Sequence, residues 1–149
     1  MTSNIEGVIF DWVETLSHGK RTLFPFSEKV LRTLKSKYKL GLVSLAGHGN
    51  ADRWNDLKVT GVLPYFDSVV VDTTKKSQHY LDCMNIMGTL PRNTAIVDDR
   101  TLRGIQIGNE LGCVTFWVQK GPYAHELPTP KTGEPTYRID TVEDLLRYL

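Results

Sequence analysis

Residues 5–16 have the sequence IEGVIFDWVETL, and this stretch decides the fold. Its apolar run at residues 8–10 has no polar alternation, which is typical of a strand buried on both faces of a parallel sheet. Asp11 follows at the carboxyl end of this strand, and in open α/β sheets ligands bind outside those ends. A single Asp at such a place is usually a turn residue. A functional role for Asp11 therefore depends on the rest of the chain.

The composition is that of one globular domain spanning residues 1–149. Hydrophobic residues make up 40% and charged residues 23% of the chain, and the length suffices for a substantial core. The net charge of +1 favours neither nucleic acid nor an anionic membrane as a partner. Cys83 and Cys113 lack the spacing of a metal site or a disulfide framework, which predicts buried, reduced thiols in a cytoplasmic protein. No apolar run approaches the roughly 20 residues that span a bilayer, and the first residues lack a signal-peptide pattern.

Strand-like and helix-like segments alternate after the first strand. This alternation predicts a three-layer α/β/α sandwich around a mostly parallel sheet of five to six strands. Right-handed crossovers then place every loop from a strand to the next helix on one edge of the sheet. The predicted strands are 8–10, 40–43, 68–71, 94–97 and 114–118, with an edge strand at 137–139. Helices are predicted from Ser27 as the N-cap, at 50–58, 77–87 and 101–111, and at the C-terminus after a cap at Asp140 or Thr141; residues 17–26 and 121–135 are predicted loops.

Polar side chains follow four of these strands on that edge. Carboxylates from two strand ends are suited to share Mg²⁺, which prefers oxygen ligands. A hydroxyl and an ammonium group nearby are suited to hold the oxygens of a phosphoryl group, and one carboxylate is suited to attack phosphorus. The residues concerned are Asp11, Ser44, Lys75, Lys76, Asp98 and Asp99.

These residues resemble, in order and spacing, the motifs of the haloacid-dehalogenase (HAD) superfamily, and the resemblance covers nearly the whole chain. IFDWVETL at 9–16 resembles the first motif, LVS at 42–44 the second, and IVDD at 96–99 the fourth. Counting forward to Tyr80 favours Lys75 over Lys76 as the third-motif lysine. The resemblance implies that Asp11 is the nucleophile and a metal ligand, that Ser44 and Lys75 or Lys76 bind phosphate, and that Asp98, Asp99 and the backbone carbonyl of Val13 complete a Mg²⁺ site.

Three positions depart from the pattern of the superfamily. Its phosphatases carry a second Asp two residues after the nucleophile, as general acid and base, and Val13 stands there. Val13 cannot transfer a proton, and such help is typically worth about 10²–10⁴-fold in rate. Glu14 stands where relatives usually have Gly, and Gly104 where many have a further acidic residue. Dehalogenases and phosphonatases of the superfamily also lack the second Asp.

The intervals between the motifs leave no room for a large cap domain, so the resemblance is to the capless members of the superfamily. With the predicted strands from 8–10 to 114–118 numbered 1 to 5 along the chain, the resemblance implies the strand order 5-4-1-2-3. The first reading is a Mg²⁺-dependent hydrolase of a phosphomonoester, slowed by Val13, acting on a phosphorylated small molecule or macromolecule. The alternative is a weak or inactive HAD-like domain that binds a phosphorylated ligand or a protein partner. His18, His48 and Glu14 are the further candidates for a proton donor. The sequence leaves the substrate and a homo-oligomer open.

Overall fold

The computed structural model describes residues 4–149, and a parallel six-stranded sheet forms their centre. The strands are β1 (Gly7–Phe10), β2 (Ser17–His18), β3 (Thr22–Leu23), β4 (Lys39–Leu45), β5 (Ser68–Asp72), β6 (Thr94–Asp98), β7 (Val114–Val118) and β8 (Tyr137–Ile139). The sheet has the order β5-β4-β1-β6-β7-β8, and every neighbouring pair is parallel. This confirms the α/β fold and the central place of the first strand. The five strands of the expected order are β7, β6, β1, β4 and β5, and β8 extends that order by one edge strand.

Helices cover both faces of the sheet. They are α1 (Ser27–Lys35), α2 (Asn50–Thr60), α3 (Ser77–Met87) and α4 (Gln106–Leu111), with short 3-10 turns at Leu63–Tyr65 and Pro91–Asn93. Along β1, Val8 and Phe10 pack into one apolar cluster and Ile9 into the other. The absence of polar alternation in this strand therefore reflects burial on both faces, as the sequence predicted.

One helix start differs from the sequence expectation, and another decides between two alternatives that the sequence left open. Ser27 is the first residue of α1 rather than its cap, because its buried hydroxyl donates to the carbonyl of Leu16 at 2.6 Å. The C-terminal helix is a 3-10 helix, Val142–Arg147, capped by Thr141 and not by Asp140. Asp144 accepts from the backbone N–H of Thr141 and completes this cap.

Two other segments carry more structure than predicted. The expected loop at 17–26 contains the antiparallel hairpin of β2 and β3. The expected helix at 101–111 begins as a π-helical turn, Thr101–Ile105, before it continues as α4. Such turns occur frequently at functional sites.

Cys83 and Cys113 are buried and free, as expected. Burial raises the pKa of the Cys83 thiol to about 11, so the thiol stays protonated and unreactive at neutral pH. Within residues 4–149, no helix combines the length and the apolar character needed to cross a bilayer.

Candidate active site

Asp11 and Asp98 lie side by side at the carboxyl ends of two neighbouring strands. β1 pairs with β6 so that Phe10 lies opposite Val97, and the backbone N–H of Asp11 donates to the Val97 carbonyl at 2.9 Å. Asp98 is the last residue of β6. Asp11, Asp98 and Asp99 each offer a carboxylate oxygen within 4.8 Å of the others. The sheet register thus brings together the three acidic residues that the sequence singled out.

Lys75 joins this group from the loop between β5 and α3. Its ammonium group donates to Asp11 Oδ1 at 2.9 Å and to Asp98 Oδ2 at 3.1 Å, and its side chain is only 2% exposed. Lys76 is exposed and lies outside the group; its backbone N–H donates to His79 Nδ1 at the start of α3. Of the two lysines, Lys75 lies beside the candidate carboxylates and Lys76 does not.

Asp98 is also tied to the turn that follows β6. Its carboxylate accepts from the backbone N–H of Arg100 at 3.1 Å and of Gly104 at 2.9 Å. A Cβ at position 104 would lie inside van der Waals contact distance of Asp98 Oδ2. The close approach of this turn to Asp98 therefore requires Gly104, which explains why no acidic side chain stands there.

The three carboxylates strongly perturb one another. Burial and the charges of Asp11 and Asp98 raise the pKa of Asp99 to about 10. Burial and the charge of Asp11 raise the pKa of Asp98. Burial opposes ionisation of Asp11 as well, but the charge of Lys75 and its hydrogen bond outweigh burial and lower the pKa of Asp11. A divalent cation would relieve this crowding, and an all-oxygen donor set suits Mg²⁺.

The second oxygen of Asp11 has its own partner. Thr15 Oγ1 donates to Asp11 Oδ2 at 3.1 Å, while Lys75 holds Oδ1. Neighbouring Trp12 is fully buried, and its indole N–H donates to the Lys20 carbonyl at 2.9 Å. Trp12 therefore packs in the core and anchors the hairpin of β2 and β3. The Asp11 carboxylate is held by Thr15 at one oxygen and by Lys75 at the other.

Ser44 lies near the end of β4, and its hydroxyl is held by a buried arginine that the sequence analysis missed. Arg53 Nη1 donates to Ser44 Oγ at 2.6 Å. Arg53 Nε donates to Asp56 Oδ2 at 3.3 Å, and Asp56 Oδ1 accepts from Arg21 Nε of the hairpin at 2.7 Å. An arginine three residues before an Asp on a helix was the available signal, but that spacing usually marks an exposed ion pair.

With this geometry established, three solved structures give the chain its context. No family model and no curated protein matches the chain. The HAD-hydrolase YfnB from Bacillus subtilis, solved with bound magnesium, is 21% identical over 86% of this chain, with a TM-score of 0.71. A HAD phosphatase from Thermococcus onnurineus is 22% identical over 85%, with a TM-score of 0.70. An uncharacterized protein from Listeria monocytogenes serotype 4b is 17% identical over 97%, with a TM-score of 0.75.

The chain has the HAD-like fold. It spans 56% and 58% of the Bacillus and Thermococcus proteins, but 100% of the Listeria protein. At these identities the likeness establishes the fold, and the chemistry has to be argued from the residues.

In this HAD-like fold, a cavity of about 170 Å³ opens beside Asp11. Of the residues selected from the sequence, Asp99 and Lys75 line it as well, whereas Ser44 and Asp98 are buried and do not. Three arginines that the sequence analysis did not select also line it, together with Tyr123. They are Arg53, Arg100 and Arg103.

Val13 and Glu14 form another part of the cavity wall. Val13 also packs against the apolar core, so the position of the usual acid is occupied by a half-buried hydrocarbon. Glu14 has a φ of +62°, which is uncommon for a residue with a side chain. Its carboxylate accepts from the backbone N–H of Gly19 at 3.0 Å and lies 3.3 Å from His18 Nδ1.

The two histidines considered as proton donors lie outside this cavity wall. His18 lines a separate apolar cavity of about 330 Å³, which shares Glu14 with the first. His48 lines a third, polar cavity beside Arg21 and Asp56. Glu14 is therefore the one of the three candidates that lines the cavity beside Asp11.

Proposed function

We propose that this HAD-like chain is a Mg²⁺-dependent hydrolase of phosphomonoesters that acts through an aspartyl-phosphate on Asp11. One observation carries the proposal: carboxylate oxygens of buried Asp98 and Asp99 and of partly buried Asp11 converge within 4.8 Å, and the Lys75 ammonium group bridges Asp11 and Asp98. Structural ion pairs rarely crowd three carboxylates around one lysine, because uncompensated buried charge is costly. A site built for a cation and an anionic substrate accounts for the arrangement.

The residues suited to hold Mg²⁺ are Asp11, Asp98 and Asp99, with the backbone carbonyl of Val13. The bound ion would neutralise charge on the phosphoryl oxygens, which favours attack by an anionic nucleophile. Lys75 and Ser44 are suited to hold the peripheral phosphoryl oxygens. Arg53 orients the Ser44 hydroxyl for that role, because its guanidinium occupies the acceptor side of Oγ and leaves the O–H free to donate.

In the proposed reaction, a carboxylate oxygen of Asp11 attacks phosphorus and the bond to the leaving oxygen breaks. A water molecule then attacks phosphorus, which releases phosphate and restores the Asp11 carboxylate. Both steps require a proton transfer, and Val13 supplies none. Glu14 is the substitute that we propose, because of Glu14, His18 and His48 it alone lines the same cavity as Asp11.

Val13 also supports a second candidate function. In this alternative the chain is a weak or inactive HAD-like domain that uses the same cavity to bind a phosphorylated ligand or a protein partner. The two candidates share the metal and anion site. They differ in whether the leaving group of a bound ester receives a proton, and therefore in whether the ester is hydrolysed.

A screen of phosphomonoesters with and without Mg²⁺ tests the proposal, with Asp11→Asn as the blank. We expect phosphate release that requires both Mg²⁺ and Asp11. Beryllium fluoride should inhibit, because it forms a phosphate-like adduct with an aspartate. Binding of Mg²⁺ without phosphate release from any ester would refute catalysis and favour the binding domain.

A further inference from the structure

The cavity beside Asp11 contains more cationic groups than one phosphoryl group requires. We propose that the ligand carries a second anionic group, a carboxylate or a second phosphate, and that Arg103 binds it. This inference rests on the proposed binding of a phosphoryl group at Asp11, and it specifies the class of ligand: a small compound that carries a phosphoryl group and a second anionic group.

The other cationic side chains that line the cavity already have partners within the protein. Lys75 is paired with Asp11 and Asp98. Arg100 contacts Glu126 through Nη2 at 2.9 Å, and its guanidinium lies 3.7 Å from the centre of the Tyr123 ring.

Arg53 is likewise occupied, since it donates to Asp56 and to the Ser44 hydroxyl. Its side chain is 7% exposed, so little of it remains for a ligand. Arg53 therefore belongs to the wall of the phosphoryl site, and it adds positive charge there.

Arg103 differs from these three cations. It is half-buried and lines the cavity, yet among residues 4–149 no carboxylate or other acceptor pairs with its guanidinium. A cation that lines the same cavity as Asp11 and lacks a protein partner is suited to bind a ligand anion, since guanidinium matches carboxylate and phosphate in geometry.

The backbone around Arg103 is fixed on both sides. Glu126 accepts from Thr101 Oγ1 at 3.2 Å and from the Leu102 N–H at 3.1 Å. On the other side, the Gly104 N–H donates to Asp98 at 2.9 Å. The π-helical turn therefore presents Arg103 from a rigid support, which reduces the entropy cost of binding an anion.

The size of the cavity limits the ligand. Arg103 and Asp11 line the same cavity of about 170 Å³. A ligand that contacts both residues therefore carries its second anionic group only a few bonds from phosphorus.

The test measures binding and turnover separately, with matched charged and neutral compounds. In the presence of Mg²⁺, calorimetry compares the affinities for phosphonoacetate and phosphonoacetamide, which cannot be hydrolysed and differ in one charge. Methylenediphosphonate tests whether a phosphonate can replace the carboxylate as the second anionic group. A parallel assay compares kcat/KM for 2-phosphoglycolate and its amide. Each is repeated with Arg103→Gln and with Arg92→Gln, an exposed arginine before β6 at the opposite edge of the sheet.

We expect the wild type and Arg92→Gln to prefer the charged member of each pair by about 10- to 100-fold, the worth of a charge-assisted hydrogen bond. Arg103→Gln should lose most of this preference. Equal affinities for the charged and neutral phosphonates, no binding of phosphonoacetate, or an unchanged preference in Arg103→Gln would overturn the inference. Discrimination in binding without hydrolysis of any ester would refute only the proposed catalysis.

Discussion

The Lys75 ammonium group lies 2.9 Å from Asp11 Oδ1 and 3.1 Å from Asp98 Oδ2, so one buried cation joins the ends of two neighbouring strands. Burial opposes the charge on Lys75, but the charges of Asp11 and Asp98 outweigh it and raise its pKa well above the usual range. The lysine is therefore charged at neutral pH, and its charge compensates those of the two carboxylates.

Removal of this lysine should strongly destabilise the protein. Lys75→Met leaves Asp11 and Asp98 buried without their cation, which typically costs about 3–5 kcal/mol in the free energy of unfolding. Urea unfolding without Mg²⁺ measures the loss. Lys76→Met is the matched control, because exposed Lys76 should change stability by less than about 0.5 kcal/mol. Equal, small effects of both substitutions would contradict the arrangement of the site.

Mg²⁺ should stabilise the folded protein through the carboxylate group. At a concentration tenfold above its dissociation constant, the ion should add about 1.4 kcal/mol and raise the melting temperature by roughly 3–6 °C. Asp11→Asn and Asp99→Asn should each reduce the gain. The absence of any shift at millimolar Mg²⁺ would argue against a metal site.

The raised pKa of Asp99 makes stability depend on pH. Because this pKa is about 10 in the folded protein and 3.8 without the fold, the folded state retains a proton that the unfolded state has released. Without Mg²⁺, the contribution of Asp99 to stability is therefore complete below pH 4 and falls as the pH rises towards 10.

Asp99→Asn serves as the reference for this pH effect. It lacks the titrating group, so its stability relative to wild type should increase with pH in the absence of Mg²⁺. Mg²⁺ binding to the wild type should release a proton, which calorimetry in buffers of different ionisation enthalpy detects. A stability difference that does not vary with pH would refute the raised pKa.

Val13 should determine which esters react. A leaving group that departs without a proton suffers least from the missing acid, so wild type should favour p-nitrophenyl phosphate and acyl phosphates over alkyl phosphates. The aspartyl-phosphate should also be hydrolysed slowly and accumulate. Val13→Asp should raise turnover of alkyl phosphates by up to about 10²–10⁴-fold.

Val13→Asn is the matched control, because it has the shape of Asp without a transferable proton. Equal gains from Val13→Asp and Val13→Asn would show that space, not acidity, limits the reaction. Fast alkyl-phosphate turnover by wild type would mean that another group supplies the proton. Loss of that turnover in Glu14→Gln would then assign the role to Glu14.

Gly104 should be essential to the position of Asp98. A methyl group at this position collides with the Asp98 carboxylate, so Gly104→Ala should cost about 1–3 kcal/mol and reduce the stabilisation by Mg²⁺. Gly47→Ala is the control, because open space surrounds that position and its φ is ordinary. Thermal unfolding with and without Mg²⁺ compares the two. An unchanged Mg²⁺ effect in Gly104→Ala would contradict the role of the turn.

The strand ends could be predicted because they depend on short-range patterns. An unbroken apolar run before Asp11, and another before Asp98 and Asp99, identified β1 and β6 and the edge on which their carboxylates lie. The ambiguity between Lys75 and Lys76 could not be resolved in the same way. Adjacent residues have nearly the same local signal, and only the packing of α3 against the sheet decides which one turns inward.

The hydrogen bonds of the Ser27 hydroxyl and the Arg53 guanidinium could not be predicted from the local sequence either. Ser27 has the local features of a cap, but the carbonyl of Leu16, eleven residues away, provides its partner. Arg53 has the features of an exposed helix residue, but it is buried between Ser44 and Asp56. Hydrogen-bond partners that are distant in the chain leave no pattern in the local sequence.

The sequence by itself determined the parallel α/β sheet, its edge of carboxylates and the lack of an acid at Val13, because apolar periodicity and residue identity are local properties. The tertiary structure alone decided that Lys75 bridges two strand ends and that Arg53, Arg100 and Arg103 surround the cavity. It also decided that burial and neighbouring charges raise the pKa of Asp99. These features depend on distances and burial between separate segments, and such quantities arise only when the chain is packed.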